Sequence, residues 1–301
     1  MSVKVVEVGP RDGLQNEPIR LTTADRIAFV DRLTAAGLSV IEVGSFVNPA
    51  RVPQMADTEQ VFAGITRRPG VRYTALVPNL TGLNRARDAN VTDIAIFAAA
   101  SETFSRKNLN QTIDESLATY KAVADEAGRH DIRVRAYLST CFGCPYEGDV
   151  PVARVIDLTL RLLDLGVFEV SVSDTIGVAH PGQVRSVLDQ LLARVARGQV
   201  ALHFHDTRGT ALANVLAALD FGIATFDASA GGLGGCPYAP GATGNLATED
   251  LIYMLDGLGI ETGVSLAGVI EASGLVAERA GRALPSRVAQ AERATLSARR
   301  D

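Results

Sequence analysis

Residues Phe168–His205 read FEVSVSDTIGVAHPGQVRSVLDQLLARVARGQVALHFH and contain one complete strand–helix–strand unit. The β-branched run Phe168–Val172 predicts a strand, the amphipathic segment Pro181–Arg197 predicts a helix, and Val200–His205 predicts a second strand. Strands joined through a helix are parallel neighbours in a sheet, because a parallel pair needs a long crossover connection. This stretch therefore indicates an α/β protein with a parallel sheet.

The same alternation continues on both sides of this unit over most of the chain. The number of β-branched runs fits a closed barrel better than an open sheet. We therefore predict one TIM (β/α)8 barrel domain over residues 1–301, with the barrel core at about residues 3–260, a Gly-rich lid loop and C-terminal helices at about residues 261–301. The eight predicted strands are Val3–Val8, Val40–Val43, Val71–Val77, Asp93–Phe97, Arg133–Leu138, Phe168–Val172, Val200–His205 and Thr225–Asp227.

The helical segments have recognisable ends. Thr23 and Asp114 are predicted to cap the helices that they begin, since their side chains accept hydrogen bonds from the free N–H groups there. A glycine follows several segments where a left-handed residue often ends a helix, and these are Gly37, Gly128, Gly166 and Gly222. Besides Pro181–Arg197, the predicted helices include Thr23–Ala36, Asp114–Gly128 and Val152–Leu165.

Composition and charge limit the classes of function. Hydrophobic residues make up 47% of the 301 residues, enough for one large core, and the net charge of −5 disfavours a nucleic-acid partner. An odd and sparse set of three cysteines argues for a reducing compartment. No apolar run approaches the roughly 18 residues of a membrane span, and a strand-like run already begins at Val3. We therefore expect a cytoplasmic protein with no membrane partner.

Polar side chains at the strand ends carry the predicted chemistry, because the active site of a TIM barrel lies at the C-terminal ends of its strands. His203 and His205 end the seventh strand and point to the same face, since side chains alternate along a strand. Asp12 follows the first strand in the segment Gly9–Gly13, where a solvated turn is an equally good interpretation. A carboxylate with two imidazoles predicts a site for Mg²⁺ or Mn²⁺ that leaves positions for substrate oxygens, although Zn²⁺ and Fe²⁺ accept the same ligands.

Other strand ends add further candidates. Asn245 offers an amide oxygen to the metal, with a helix N-cap for Leu246–Leu255 as the strong alternative. Glu42 lies in an apolar run, and Arg11 across the barrel mouth is its predicted partner, in either a catalytic or a structural ion pair. Asp174 ends the sixth strand and either bonds substrate or holds a loop. The fifth strand places two polar residues on one face, namely Arg135 and Tyr137.

The Gly-rich stretch Gly231–Gly244 differs in composition from the rest of the chain, and it contains Cys236. A thiol on such a loop beside a metal site is a candidate proton donor or nucleophile, whereas a free Cys in a turn is more often a small buried apolar residue. Cys141 and Cys144 form a C-x-x-C pattern without a second pair for Zn²⁺, which favours two buried thiols.

Beyond these single residues, long segments of the chain resemble the hydroxymethylglutaryl-CoA lyase family. The resemblance runs in order from Val3 to about Gln290. Its most specific part is GGLGGCPYAPGATGNLATED at Gly231–Asp250. The other matching segments are Val5–Glu17, Ser45–Val47, Val52–Asp57, Gly143–Gly148, Asp174–Gly177 and His203–Thr207.

The resemblance implies a divalent-metal-dependent retro-Claisen cleavage of 3-hydroxy-3-methylglutaryl-CoA to acetyl-CoA and acetoacetate. It also implies that Arg11 steadies the enolate of the departing acetyl-CoA and that Cys236 is the catalytic cysteine of a mobile loop. The partner is then an acyl-CoA substrate, and a homodimer is a family-level expectation. The matching metal-binding positions are Asp12, His203, His205 and Asn245. Further matching positions are Asp12, Glu42 and Asp174 for catalysis, and Arg11, Ser45, Tyr137 and Asp174 for the substrate.

Some positions depart from the family pattern and leave the acyl group open. Arg208 and Thr210 follow the histidine motif where the family usually has Tyr and Gln. The alternatives are a lyase that acts on another 3-hydroxyacyl-CoA, a related Claisen-condensing acyl-CoA synthase, and a metal-dependent aldolase that acts on a free oxo acid. The Gly-rich segment with Cys236 disfavours the synthase, because synthases of this barrel group lack it.

Overall fold

The structure is a computed structural model that describes residues 2–235 and 244–298. Its strands are β1 Lys4–Glu7, β2 Val40–Ser45, β3 Arg72–Leu76, β4 Asp93–Ala99, β5 Arg133–Ser139, β6 Val170–Asp174, β7 Val200–Phe204 and β8 Thr225–Ala228. They pair in chain order, β8 pairs with β1, and every pairing is parallel, so the barrel is closed. The predicted TIM barrel is confirmed, and each predicted strand is present with its ends shifted by no more than a few residues.

Helices connect the strands and cover the outside of the barrel. They are α1 Thr23–Ala35, α2 Thr58–Gly64, α3 Leu80–Asp88, α4 Glu102–Leu109, α5 Ile113–Gly128, α6 Val152–Asp164, α7 Pro181–Leu191, α8 Ala211–Leu219, α9 Thr248–Gly257, α10 Leu266–Ala280 and α11 Arg287–Ala298. After the barrel, α10 packs against α1, and α11 packs against α9. Among the described residues, none of these helices is both long and apolar enough to cross a lipid bilayer.

Both predicted helix caps are wrong by one or two residues. The cap of α1 is Thr22 rather than Thr23, and its hydroxyl accepts a backbone N–H at 3.1 Å. The cap of α5 is Thr112 rather than Asp114, and it forms a capping box with Glu115. Each true cap has extended backbone angles, so the polar residue directly before the first turn takes the role and not the polar residue inside that turn.

Glycine has the predicted left-handed conformation after three of the helices. The φ angles of Gly37, Gly166 and Gly222 are 98°, 87° and 72°. Gly128 is instead the last residue of α5, and the left-handed position falls on Asp131, with a φ of 55°. Helix α5 therefore ends at Gly128 as predicted, but the left-handed residue follows three positions later at Asp131, because Asp also tolerates this backbone conformation.

The barrel interior is rich in charge. Aliphatic side chains usually fill such an interior, and here they form only two small clusters. Between them runs a row of ion pairs in which Lys4 contacts Glu169 at 3.0 Å, and Arg135 contacts Glu169 at 2.8 Å and Asp227 at 2.7 Å. Since β5 and β8 are not neighbours in the sheet, the contact between Arg135 and Asp227 crosses the barrel interior. The two clusters are Val6, Val8 and Val40, and Leu76, Ala95 and Tyr137 with Phe97 packed against it.

Candidate active site

Three side chains converge at the C-terminal mouth of the barrel. Asp12 lies in a single π-helical turn, Gly9–Gly13, that comes shortly after β1. His203 is on β7, and His205 follows that strand and pairs with Asn245 in an isolated bridge. One potential ligand atom from each of Asp12, His203 and His205 lies within 4.8 Å of the others. The structure therefore brings together three residues that the sequence predicts to bind a divalent cation.

Asn245 joins this group through its side-chain amide. Its Nδ2 donates to Asp12 Oδ2 at 2.8 Å and to Leu233 O at 3.0 Å. Its Oδ1 is buried and has no hydrogen-bond partner among the described residues. The alternative role as a helix cap is wrong, because α9 begins at Thr248 and Ala247 occupies the cap position. A buried amide oxygen without a donor, beside a carboxylate and two imidazoles, fits a cation ligand.

Burial and nearby charges favour the ligand forms of Asp12 and His205, whereas Asp227 raises the pKa of His203 even though burial opposes this shift. Burial alone raises the pKa of Asp12, but the positive charge of Arg11 and the neighbouring histidines bring that pKa below its ordinary value. Burial lowers the pKa of His205 to about 3, and His203 adds to this effect. Asp12 is therefore an ionised carboxylate and His205 a neutral imidazole, which are the forms that bind metal ions.

Arg11 is buried beside this group and is held by two carboxylates. Its Nε donates to Glu42 Oε2, and its Nη1 donates to Asp12 Oδ1 at 2.8 Å. The ion pair with Glu42 confirms the partner that the sequence predicts. Burial raises the pKa of Glu42 despite the opposing charge of Arg11. The other oxygen of Glu42 is buried without a hydrogen-bond partner among the described residues.

Tyr137 forms the floor of the site. Its ring centroid is 5.3 Å from the guanidinium carbon of Arg11 and 5.0 Å from that of Arg135, so the ring lies between two cations. The ring of His203 meets it edge-on, with centroids 6.4 Å apart. Cations over aromatic faces are attracted by the ring quadrupole. Tyr137 therefore separates the mouth of the barrel from the charged interior below it.

Two other predicted site residues hold the surrounding backbone. Asp174 accepts from Val178 N at 3.0 Å and from Ala179 N at 3.1 Å, so of its two predicted roles the loop-holding one has visible contacts. Burial raises the pKa of this carboxyl to about 6. The hydroxyl of Ser45 is buried and donates to Leu76 O at 3.3 Å. Neither side chain belongs to the cluster that Asp12 forms with the histidines.

Cys236 lies outside the described residues, whereas the two ends of its segment are described. A Cβ atom at Gly244 would lie 1.4 Å from the carbonyl oxygen of Gly234. Gly234 has a φ of 105°, a conformation that disfavours side chains. The two ends therefore pass each other at a contact that only glycine permits, which we call the glycine neck (Gly234 and Gly244).

The structure describes the two remaining cysteines as buried free thiols. The thiol of Cys141 donates to Leu138 O at 3.0 Å, and the thiol of Cys144 donates to Ser101 Oγ at 2.9 Å. Burial raises the pKa of the Cys141 thiol well above its ordinary value. The interpretation of the C-x-x-C pattern as two buried thiols is confirmed.

The residues that depart from the family pattern have structural contacts. Arg208 Nη1 donates to Ile176 O at 3.0 Å and to Gly177 O at 2.8 Å. Thr210 Oγ1 donates to Ala179 O at 2.9 Å. Both residues therefore tie the loop after β7 to the loop after β6.

Sequence reasoning missed several buried acids, among them Glu7, Asp227 and Glu249. Glu7 accepts from the backbone N–H groups of Gly9 and Ala230, at 2.7 Å and 2.9 Å. Glu249 accepts from Gly231 N at 2.7 Å, and Asp227 pairs with Arg135 inside the barrel. For Glu7 and Asp227 the available signal was a lone carboxylate within an apolar strand, the same signal that singled out Glu42, whereas Glu249 lies in the first turn of α9 beside Asp250 and gave no such signal.

Comparisons with known proteins agree with this architecture. A family model described as HMGL-like matches residues 2–276. Hydroxymethylglutaryl-CoA lyase YngG of Bacillus subtilis is 52% identical over 285 residues, which cover 95% of each chain. A 3-hydroxy-3-isohexenylglutaryl-CoA/hydroxy-methylglutaryl-CoA lyase of Pseudomonas aeruginosa is 51% identical over 289 residues, covering 96% of each chain. An HMG-CoA lyase of Acinetobacter baumannii, solved with coenzyme A and 3-methylmalate, is 40% identical with a TM-score of 0.92, covering 96% of this chain and 95% of that one.

Proposed function

Because the chain belongs to the HMGL-like family and its relatives are hydroxymethylglutaryl-CoA lyases, we propose that it cleaves 3-hydroxy-3-methylglutaryl-CoA to acetyl-CoA and acetoacetate. The enzyme is a carbon–carbon lyase. One observation carries the assignment of the site: the cluster of Asp12, His203 and His205 lies directly beside the buried cation of Arg11. Retro-Claisen cleavage needs deprotonation of the alcohol and stabilisation of the enolate, and a bound metal and the Arg11 cation would serve these two needs.

We assign the metal to the four polar side chains at the barrel mouth. A divalent cation held by these side chains would lower the pKa of the substrate's C3 hydroxyl, which must lose its proton before the C2–C3 bond can break. Oxygen and imidazole ligands without a thiolate suit Mg²⁺ or Mn²⁺. The proposed ligands are Asp12, His203, His205 and Asn245.

Arg11 serves the other product of the cleavage. Breaking the C2–C3 bond leaves its electron pair on the acetyl-CoA fragment as a thioester enolate, whose oxygen requires donors. Glu42 and Asp12 hold the Arg11 guanidinium at Nε and Nη1, and Nη2 has no hydrogen bond within the described part of the chain. These contacts hold the donor in place without substrate, so little reorganisation is needed when the enolate forms.

We propose Cys236 as the acid that protonates the enolate carbon. The C2 carbanion must gain one proton to become the methyl group of acetyl-CoA, and a thiol is a suitable donor. Cys141 and Cys144 do not fit this role. Both are buried, and their thiols donate hydrogen bonds to Leu138 O and Ser101 Oγ. The family resemblance of the Gly-rich segment supports the assignment to Cys236.

The substrate's activating group and acyl chain follow from the relatives. The Acinetobacter relative is solved with coenzyme A, which supports a CoA thioester here. The Pseudomonas relative is named for two glutaryl-CoA substrates that differ at C3, a methyl and an isohexenyl compound. The methyl compound is the proposed substrate, and the isohexenyl compound is a second candidate. A homodimer and a cytoplasmic location stay predictions.

The deciding experiment measures acetoacetate release from 3-hydroxy-3-methylglutaryl-CoA. We expect release that needs Mg²⁺ or Mn²⁺ and stops after treatment with EDTA. Free 3-hydroxy-3-methylglutarate is the control for the thioester and should not be cleaved. Metal-loaded protein that cleaves only the isohexenyl thioester would move the assignment to that substrate, and protein that cleaves neither would overturn it.

A further inference from the structure

Asp227 lies directly beneath one of the proposed metal ligands. Its Oδ2 is 3.4 Å from His203 Nδ1. The Nδ1 atoms of His203 and His205 are both buried, and neither makes a hydrogen bond among the described residues, so the nearby carboxylate of Asp227 is an acceptor available to His203. Asp227 is 1% exposed and His203 Nδ1 is itself buried, so solvent does not reach the space between them.

The carboxylate of Asp227 is fixed from below. Arg135 Nη2 donates to Oδ1 at 2.7 Å, and Ser171 Oγ donates to Oδ2 at 2.7 Å. Each oxygen of Asp227 thus has a donor besides the imidazole. A buried polar network whose members all have partners is rigid, since any rotation leaves a buried charge unpaired.

The network continues to the opposite end of the barrel. Arg135 Nε donates to Glu169 Oε1 at 2.8 Å, and Lys4 Nζ donates to Glu169 Oε2 at 3.0 Å. Lys4 is the partly exposed end of this row. Positive and negative groups alternate along it, so Asp227 remains a carboxylate although water does not reach it.

We propose that Asp227 is a positioning residue for the metal centre. It accepts the Nδ1 proton of His203, fixes the tautomer and the ring orientation, and leaves Nε2 for the cation, while Arg135 holds Asp227 in place. Metal-binding histidines commonly rely on such an acceptor, and its loss typically costs about 10- to 100-fold in metal affinity. The inference rests on the proposed metal centre. It adds a residue that lies inside the barrel and not at its mouth.

A purely structural role is the alternative, in which Asp227 only neutralises Arg135. The two roles differ in their dependence on His203. If Asp227 acts through His203, its substitution has no further effect on metal affinity once His203 is absent. If it only supports the barrel, the substitution lowers metal affinity equally with and without His203. A double-mutant cycle separates the two.

The experiment measures Mn²⁺ affinity by electron paramagnetic resonance of the free ion. The variants are Asp227→Asn, His203→Ala and the double variant, with thermal unfolding in EDTA as the measure of fold. Ser171→Ala is the matched control, since it removes a hydrogen bond to the same carboxylate oxygen and keeps the charge. A further variant, Arg135→Met with Asp227→Leu, removes both charges of the buried pair. It is included in case the single Asp227 variant misfolds, because it leaves neither charge of the pair without its partner.

We expect Asp227→Asn to weaken Mn²⁺ binding by about tenfold or more. We expect Ser171→Ala to change it by less than about threefold, and Asp227→Asn to have almost no effect when His203 is Ala. The variant without the buried pair should fold and lose affinity as Asp227→Asn does. Equal losses in both histidine backgrounds, or wild-type affinity in a folded Asp227 variant, would overturn the positioning role. Failure of the wild type itself to bind Mn²⁺ would instead overturn the metal centre on which the role depends.

Discussion

Asn245 donates its side-chain N–H to Asp12 at 2.8 Å, although the two residues are 233 positions apart in the sequence. The contact fixes the amide, and its oxygen is buried without a hydrogen-bond donor among the residues that the structure describes. One side chain thus orients a carboxylate and offers a ligand of its own.

Asn245→Ala should lower divalent-metal affinity by about tenfold or more, because a ligand and the brace on Asp12 are both lost. It should also cost about 1–3 kcal/mol of stability, since Leu233 O loses its donor. Asn214→Ala is the matched control, because Asn214 is also buried and donates to a carbonyl oxygen, Ala179 O, at 3.0 Å. Equal metal affinity in the two variants, measured by Mn²⁺ titration, would contradict the ligand role.

Arg11→Lys should reduce kcat by about 10²- to 10³-fold with a smaller change in KM. Lysine keeps the charge but not the planar fork that contacts Glu42 and Asp12 while still facing the substrate. Arg72→Lys, at the opposite end of the barrel, is the control for the same chemical change. Steady-state kinetics on metal-loaded protein decide the matter, and an unchanged kcat would remove Arg11 from the enolate step.

Cys236→Ala should keep the fold and the metal and lose most turnover, because the enolate carbon then lacks its acid. Cys141→Ala removes a buried thiol with its own acceptor and should keep most activity. Metal content, thermal unfolding and acetoacetate release together test this prediction. Near-normal turnover of the Cys236 variant would exclude the thiol as proton donor.

The stability of the protein should depend on pH through Glu7. Burial raises the pKa of this carboxyl from 4.5 to about 7, and the charge of Glu249 adds to the shift. Between these two pH values the folded state holds a proton that the unfolded state has lost, so stability falls as pH rises through this window. The full shift corresponds to at most roughly 3 kcal/mol.

Glu7→Gln should therefore be more stable than the wild type at pH 8 and lose that advantage toward pH 5. The amide oxygen of Gln can still accept the backbone N–H groups of Gly9 and Ala230. Urea unfolding between pH 5 and 8 checks the sign. A stability difference that does not change with pH would show that Glu7 titrates in its ordinary range.

Gly244→Ala should destabilise the glycine neck, because the added Cβ would lie 1.4 Å from Gly234 O and the backbone must move. We expect loss of activity together with weaker metal binding, since Asn245 follows directly in the chain. Gly235→Ala is the control, because its Cβ would meet nothing within 4 Å. Similar activity of the two alanine variants would mean that the neck tolerates the side chain.

The sequence predicts the barrel because each strand and helix can be recognised from residues that are close together in the chain. A β-branched run, an amphipathic helix and a polar residue at the strand end are each visible within a few neighbours. His203 and His205 share a face through strand alternation alone, and Asp12 follows the first strand. Their meeting then follows from the closure of eight parallel strands.

Partnerships between distant residues were not visible in the same way. Asp227 contacts Arg135 at a separation of 92 residues, and Glu7 contacts Ala230 at a separation of 223. Each acid is a polar residue in an apolar run, and the neighbouring sequence does not indicate which distant residue it contacts. The same limit explains why the sequence left a helix cap open as the alternative role of Asn245, since its contact with Asp12 lies 233 positions away.

The barrel closes where the first strand pairs with the last, and the candidate metal centre takes its residues from both sides of that junction. Asp12 comes shortly after β1, His203 lies on β7, and Asn245 follows β8. A chain emerging from the ribosome carries Asp12 long before it carries the other ligands, so the centre comes into existence only when the final strand docks against the first. Metal uptake is thus a reporter of completed folding. We expect a protein divided between β4 and β5 to bind metal at this site in neither half and to recover binding only on reassembly.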